Sequence, residues 1–142
     1  MAHRSRHLAG TIVVLALLLF VDANARDRFD VLRTCAKESS HVGQRECLEA
    51  EWKKSSAAAS AAERDFLARL TKADQVPQDK ARALAAAADE SAAYSQFAEK
   101  HCESFALLAF GGNSQGDRRL ACRIELNWQR AVQLKSIIAS TP

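Results

Sequence analysis

An all-α fold, a small up-and-down bundle of about four helices stapled by two disulfides, follows from three observations. Beyond residue 26 the chain is dominated by alanine, leucine, glutamate, lysine, arginine and glutamine, the residues of highest helix propensity. Helix breakers are confined to three short segments, residues 39–43, 74–79 around Pro77, and 111–117. Between them apolar side chains recur at steps of three and four, the period of a helix with one buried side. The breakers divide the chain into helices of about 11, 30, 30 and 22 residues.

Ahead of the helices, residues 1–25 follow the three-part plan of a secretory signal peptide. His3, Arg4, Arg6 and His7 form a cationic start, Leu8 to Val21 is an apolar run, and Ala23-Asn24-Ala25 is a small-x-small cleavage site. The run falls short of the roughly 18 to 20 residues that span a hydrocarbon core as a helix. The expectation is therefore a cleaved leader and a mature chain starting at Arg26, periplasmic or secreted and not inserted in the membrane; an uncleaved N-terminal anchor is the alternative. Cys35 stands too far past the cleavage point to be the lipid-bearing first residue of a lipoprotein. Residues 26–142 then form one domain, small enough for cross-links to be a useful supplement to its core.

The first helix is expected at residues 27–37. The second carries Leu48, Trp52, Ser55, Ala59, Ala62, Phe66 and Leu70 on one stripe, the third Leu84, Ala87, Ala88, Tyr94, Ala98, Cys102 and Phe105, and the fourth Leu120, Ile124, Trp128, Ala131, Leu134 and Ile138. Each stripe should face the core. Short connections make successive helices antiparallel neighbours, and alanine at contact positions lets the axes approach. The alanine-rich stretches at 57–62 and 83–93 keep helical register and read as helix rather than low complexity. The glycines at 111 and 112 read as the left-handed end of the third helix.

Four cysteines, Cys35, Cys47, Cys102 and Cys122, allow three pairings. Cys35 and Cys47 lie nearly symmetrically about the turn near His41, and Cys102 and Cys122 flank the glycine-rich turn, so local pairing meets the distance a disulfide requires. Each local bridge would contribute about 3 kcal/mol in the loop-entropy model, whereas Cys35 with Cys122 would contribute roughly 4.5 kcal/mol, so energetics leaves the long-range pairing open. A zinc site is disfavoured, because structural zinc ligands come two to four residues apart and these cysteines do not.

Composition excludes several functions. Removing Arg4, Arg6 and Asp22 with the leader takes the chain from 20 basic and 17 acidic side chains to 18 and 16, a net charge of +2. That balance, with both signs interleaved along the chain, is too small to imply a polyanion partner, so no nucleic acid is expected. His41 and His101 are the histidines beyond the leader, and neither is spaced to serve a nucleophile. The glycine-rich turn lacks the Lys and Ser/Thr of a phosphate-binding loop. Glu46, Glu49 and Glu51 read as solvated surface charges, Glu49 with Lys53 as an i,i+4 pair. No enzyme, cofactor or metal is implied.

The order Cys35-x11-Cys47-Leu48, an alanine-rich segment leading to Tyr94 and Cys102, Gly111-Gly112-Asn113-Ser114, then Cys122 with Arg130 and Leu134, resembles the lysozyme inhibitor LprI-like family of exported bacterial proteins. The resemblance covers roughly residues 35–134. It implies a protein that binds lysozyme and has no chemistry of its own. Arg118 and Arg119, beside the turn at 111–117, are the candidate binding residues, since a cross-linked loop loses little entropy on docking. Arg130 matches an arginine of the family pattern and is expected to pair with a carboxylate on a neighbouring helix. The slightly basic charge gives no steering toward a basic lysozyme, so inhibition would call for a local acidic patch, for which the second helix is the candidate. The alternative is a periplasmic structural or interaction module whose partner is another envelope protein or a small molecule.

Overall fold

A computed structural model describes residues 31–108, 111–112 and 114–140. The expected leader at 1–25 and the start of the first helix at 26–30 lie outside the described residues. Four helices follow in order: α1 (Val31–Cys35), α2 (His41–Lys72), α3 (Pro77–Leu107) and α4 (Ser114–Ser140). They form the up-and-down bundle that composition and periodicity predict, and the described residues contain no helix long and apolar enough to cross a membrane.

The helix ends have identifiable causes. Ser40 sits in extended backbone and its Oγ accepts the Gly43 N–H at 3.0 Å, capping α2. This cap starts α2 inside the segment read as a breaker, because Ser39-Ser40 supplies a cap and Gly43 is tolerated in the first turn. Pro77 opens α3 at its first position, where the missing N–H costs no hydrogen bond, and Asp79 complements the dipole of the first turn. Gly111 and Gly112 have φ of 102° and 81°, the left-handed region in which glycine turns the chain without steric penalty.

α4 also begins earlier than the sequence suggests, at Ser114, so Gly116 and Asp117 belong to its first turn and not to the preceding loop. Gly116 is used there for close approach: a Cβ would stand 3.3 Å from the Arg45 guanidinium. The helix accepts the glycine, which costs about 1 kcal/mol against alanine, and Asp117 is held by charge from α2.

α4 is the hub. α2 packs along most of its length, α3 packs against its other flank, and α1 caps the junction of α2 and α4; α2 and α3 touch each other only locally. Cys35, Leu48, Ala121 and Ile124 form one apolar cluster, with Val31, Leu32, Cys47 and Leu120 against it. Ala62, Ala131 and Leu134, with Ala58 and Phe66, form a second farther along the α2–α4 seam. The third, Cys102, Cys122 and Leu126 with Ala98 and Phe105, joins α3 to α4. Both disulfides are local. Cys35 bonds Cys47 and Cys102 bonds Cys122, with Cα separations of 5.6 and 5.5 Å.

Three stripe positions are not core. Trp52 and Trp128 are each 39% exposed, and Ala88 is exposed. Register places these residues on the correct side of their helices, but a helix covers only the part of a face that another helix reaches. α2 and α3 diverge beside Trp52, and the alanine-rich first half of α3 buries no side chain fully: its fully buried residues are Cys102 and Ala106, near its far end.

Candidate functional site

The divergence of α2 from α3 opens a groove of about 510 Å³ whose base is α4. α2 contributes Trp52, Ser56 and Glu63, α3 contributes Ser91, Tyr94 and Ser95, and Arg123, Asn127 and Arg130 rise from α4. Helical spacing accounts for the last three, since residues 123, 127 and 130 fall on one face at steps of four and three.

Arg130 organises the closed end. Its side chain is 4% exposed and its two terminal nitrogens donate to the two carboxylate oxygens of Glu90 on α3, a bidentate pair. Nε donates to Glu63 Oε1 on α2 at 3.4 Å, and the guanidinium carbon lies 4.8 Å from the centroid of the Tyr94 ring. One arginine thus ties all three long helices together, the pairing expected of it. Burial acts to lower its pKa, but hydrogen bonding and charge from Glu90 and then Glu63 outweigh it and hold the group above its ordinary value. Burial raises the Tyr94 phenol above its ordinary value, opposed by the charge of Arg130 and reinforced by Glu90 and Glu63. The Tyr94 O–H donates to the Leu126 carbonyl at 2.7 Å, which pins α3 to α4 near their middles.

Farther along, Asn127 Nδ2 donates to Ser56 Oγ at 3.0 Å and to Ser55 Oγ at 3.3 Å. Ser55 is fully buried and its own hydroxyl donates to the Trp52 carbonyl at 3.0 Å, so the α2–α4 seam carries a satisfied polar bridge. Across Trp52 and Arg123 lies a second concavity of about 400 Å³, lined by Arg45, Glu49, Lys53, Gly116, Arg119 and Leu120 as well as that pair. Four of its lining residues are cations against one carboxylate. Arg45 Nε donates to Glu49 at 2.9 Å and its Nη1 lies 3.5 Å from the buried Asp117, whose other oxygen is 3.0 Å from His41 Nε2. Glu49 therefore pairs one turn back with Arg45 and not forward with Lys53, because Asp117 draws Arg45 to that side. Hydrogen bonding to Glu49 raises the Arg45 pKa against a desolvation that lowers it.

Of the two candidate binding residues, Arg118 is half-buried in the first turns of α4 and Arg119 lies 2.7 Å from Glu103 of α3. They occupy helix, not the turn, although Gly111 and Gly112 stand exposed just ahead of them. His101 stacks on Phe97 with ring centroids 5.2 Å apart. The groove residues Trp52, Tyr94, Arg123 and Asn127 were not legible as a site, since Trp52 and Tyr94 read as core stripe positions and the pattern singled out neither Arg123 nor Asn127. The spacing of polar residues at 52, 56 and 63 against 123, 127 and 130 is the signal that marks them, once α2 and α4 are known to be adjacent.

Among the described residues no group of three or more His, Cys, Asp or Glu could hold a metal ion. Neither the curated proteins nor the solved structures include a match to the chain. Residues 35–134 match the family model described as Lysozyme inhibitor LprI. That span takes in both disulfides, all of α2 and α3 and most of α4, and on it the protein belongs to the LprI lysozyme inhibitor family.

Proposed function

We propose that the protein is an exported inhibitor that blocks a lysozyme by contact, with no turnover of its own. The family match over most of the chain carries this reading. Export is supported by the signal-like residues 1–25 and by two disulfides, which persist in oxidising compartments such as the periplasm or the exterior.

The contact surface we assign is the end of α4 bearing Arg118 and Arg119, next to the exposed Gly111-Gly112 turn. On α2, Glu49, Glu51 and Glu63 are each engaged by a cation, Arg45, Lys54 and Arg130, which leaves Glu46 and Asp65 as its exposed carboxylates outside those pairs. Retaining glycoside hydrolases such as lysozyme act through two closely spaced carboxyl groups in a cleft. A guanidinium offered by a scaffold that the Cys102–Cys122 bridge holds in place complements that pair at little entropic cost. Local complementarity of this kind operates even when the net charges of the two proteins do not attract.

The decisive experiment is a muramidase assay with the oxidised protein titrated against lysozyme. Inhibition near one-to-one stoichiometry is the expected result, and Arg118→Ala should weaken it at least tenfold without changing thermal stability. Absence of inhibition at large excess refutes the reading. The net charge of +2 that residues 26–142 would carry after leader removal favours a second one in that event, an envelope interaction module, and a pull-down from envelope extract would then recover a different endogenous protein.

A further inference from the structure

The two concavities meet at one pair of side chains, Trp52 and Arg123, which line both. Arg123 differs from the other arginines around them. Arg130 is held by Glu90 and Glu63, Arg45 by Glu49 and Asp117, and Arg119 by Glu103. The Nε atoms of Arg119 and Arg123 are both buried without a hydrogen bond, but Glu103 stands 2.7 Å from Arg119, whereas no carboxylate among the described residues pairs with Arg123. A half-buried guanidinium without a counter-charge is costly to hold in a folded protein. A ligand carboxylate would remove that cost with a bidentate contact.

The surroundings restrict what carries the carboxylate. Ser56 and Ser60 on α2 face Ser95 on α3 across the groove, and Asn127 stands at its base. Apolar lining is limited to Ala59, Ala98 and the aromatic rings, and of the two carboxylates that also line the groove Glu63 is held by Arg130 and Glu99 stands exposed on α3. An apolar peptide side chain finds no pocket here, whereas hydroxyls find donors and acceptors on both walls. Trp52, 39% exposed, presents a flat face at the saddle on which the C–H side of a pyranose ring can pack. Ahead of it the second concavity adds Lys53, together with Arg45 and Arg119, which are held by Glu49, Asp117 and Glu103.

We propose that the Trp52–Arg123 saddle is a binding site for an acidic saccharide, with the sugar carboxylate on Arg123, a ring stacked on Trp52 and hydroxyls on the serines of α2 and α3. The site goes beyond lysozyme inhibition and does not use Arg118.

The test is calorimetric titration of the oxidised protein with trigalacturonic acid, with maltotriose as the neutral counterpart and penta-glutamate as a non-saccharide polyanion. Saturable binding of trigalacturonic acid, at least tenfold tighter than either control, is the expected result. Arg123→Gln should lower that affinity at least tenfold, Arg123→Lys by less, and Trp52→Ala should weaken acidic and neutral sugars alike. Trp52 fluorescence, read in a Trp128→Phe background, should change on addition of trigalacturonic acid and not of penta-glutamate. Circular dichroism melting of each variant separates lost binding from lost fold, and the milder Arg123→Lys and Trp52→Phe replace any variant that does not fold. The proposal is overturned if trigalacturonic acid fails to bind at millimolar concentration, if a control binds equally well, or if Arg123→Gln binds like the parent. None of these outcomes bears on the lysozyme reading, which is scored by muramidase inhibition and Arg118→Ala.

Discussion

The two flanks of α4 are closed by different means. Toward α2 the seam is apolar over most of its length, with Leu48, Ala59, Ala62, Ile124, Ala131 and Leu134 buried, and the Ser55–Asn127 hydrogen bond is a small polar interruption. Toward α3 one apolar cluster around the Cys102–Cys122 bridge and Leu126 is supplemented by polar links, the Tyr94 hydrogen bond to Leu126 and the Arg130–Glu90 and Arg119–Glu103 pairs. Both flanks use helices of similar length and composition. The difference teaches that helix formation and helix docking are separate problems in this chain. The first half of α3 is helical through alanine propensity, while its position depends on specific links. The groove exists because those links do not draw α3 onto α2.

The largest expected effect sharpens the apolar side. Leu134→Ala removes a side chain that is 1% exposed from the α2–α4 cluster and should cost about 3 to 4 kcal/mol, the range for leucine truncations that leave a cavity. Urea denaturation measures the loss, and hydrogen exchange should show α2 and α4 loosening together. Next, replacing Cys102 and Cys122 by serine should cost about 3 kcal/mol by loop entropy, with faster exchange confined to α3. Equal loss of protection in α2 would break the comparison, since it would mean that the two seams are one cooperative unit.

Arg130→Ala should be milder, about 1 to 2 kcal/mol. Its carboxylate partners Glu90 and Glu63 are 50% and 36% exposed and regain water when the guanidinium leaves, so no uncompensated buried charge remains. A variant that melts like the parent would contradict a structural role for this residue.

The smallest effects concern pH and the exposed face of α3. Tyr94 has its pKa raised on folding, so it holds its proton more tightly in the folded chain. Its contribution is therefore complete below the ordinary tyrosine range and is lost as pH rises through the folded value. Tyr94→Phe should flatten the alkaline fall in stability seen by denaturation between about pH 9 and pH 11. Ala88→Ser, on the exposed side of α3, should change stability by no more than about 0.5 kcal/mol. A loss several times larger would show that α3 is more deeply packed than its exposure indicates.

Sequence pattern carried the architecture further than the site. Pro77 and the glycines at 111–112 are visible punctuation, and cysteines placed around two turns point to the bridges that form. Ser114 as a helix start was hidden by Gly116, which breaks helices on average but here makes room for Arg45. Trp52 and Trp128 lie in register with buried residues, yet register describes one helix alone. Whether a neighbour covers a given turn is a property of two.

The number of helices, their approximate positions and most of their buried sides were legible in the sequence alone, and the local disulfides were favoured by it, because propensity, period and turn placement act over a few residues. The tertiary structure decided the rest: that α4 is the hub, that α2 and α3 part beside Trp52, that Arg130 finds Glu90 and Glu63, and that Arg123 finds no carboxylate among the described residues. These outcomes depend on contacts between residues far apart in the chain, His41 and Asp117 by 76 positions, and such contacts are set by how whole helices pack and not by the pattern within any one of them.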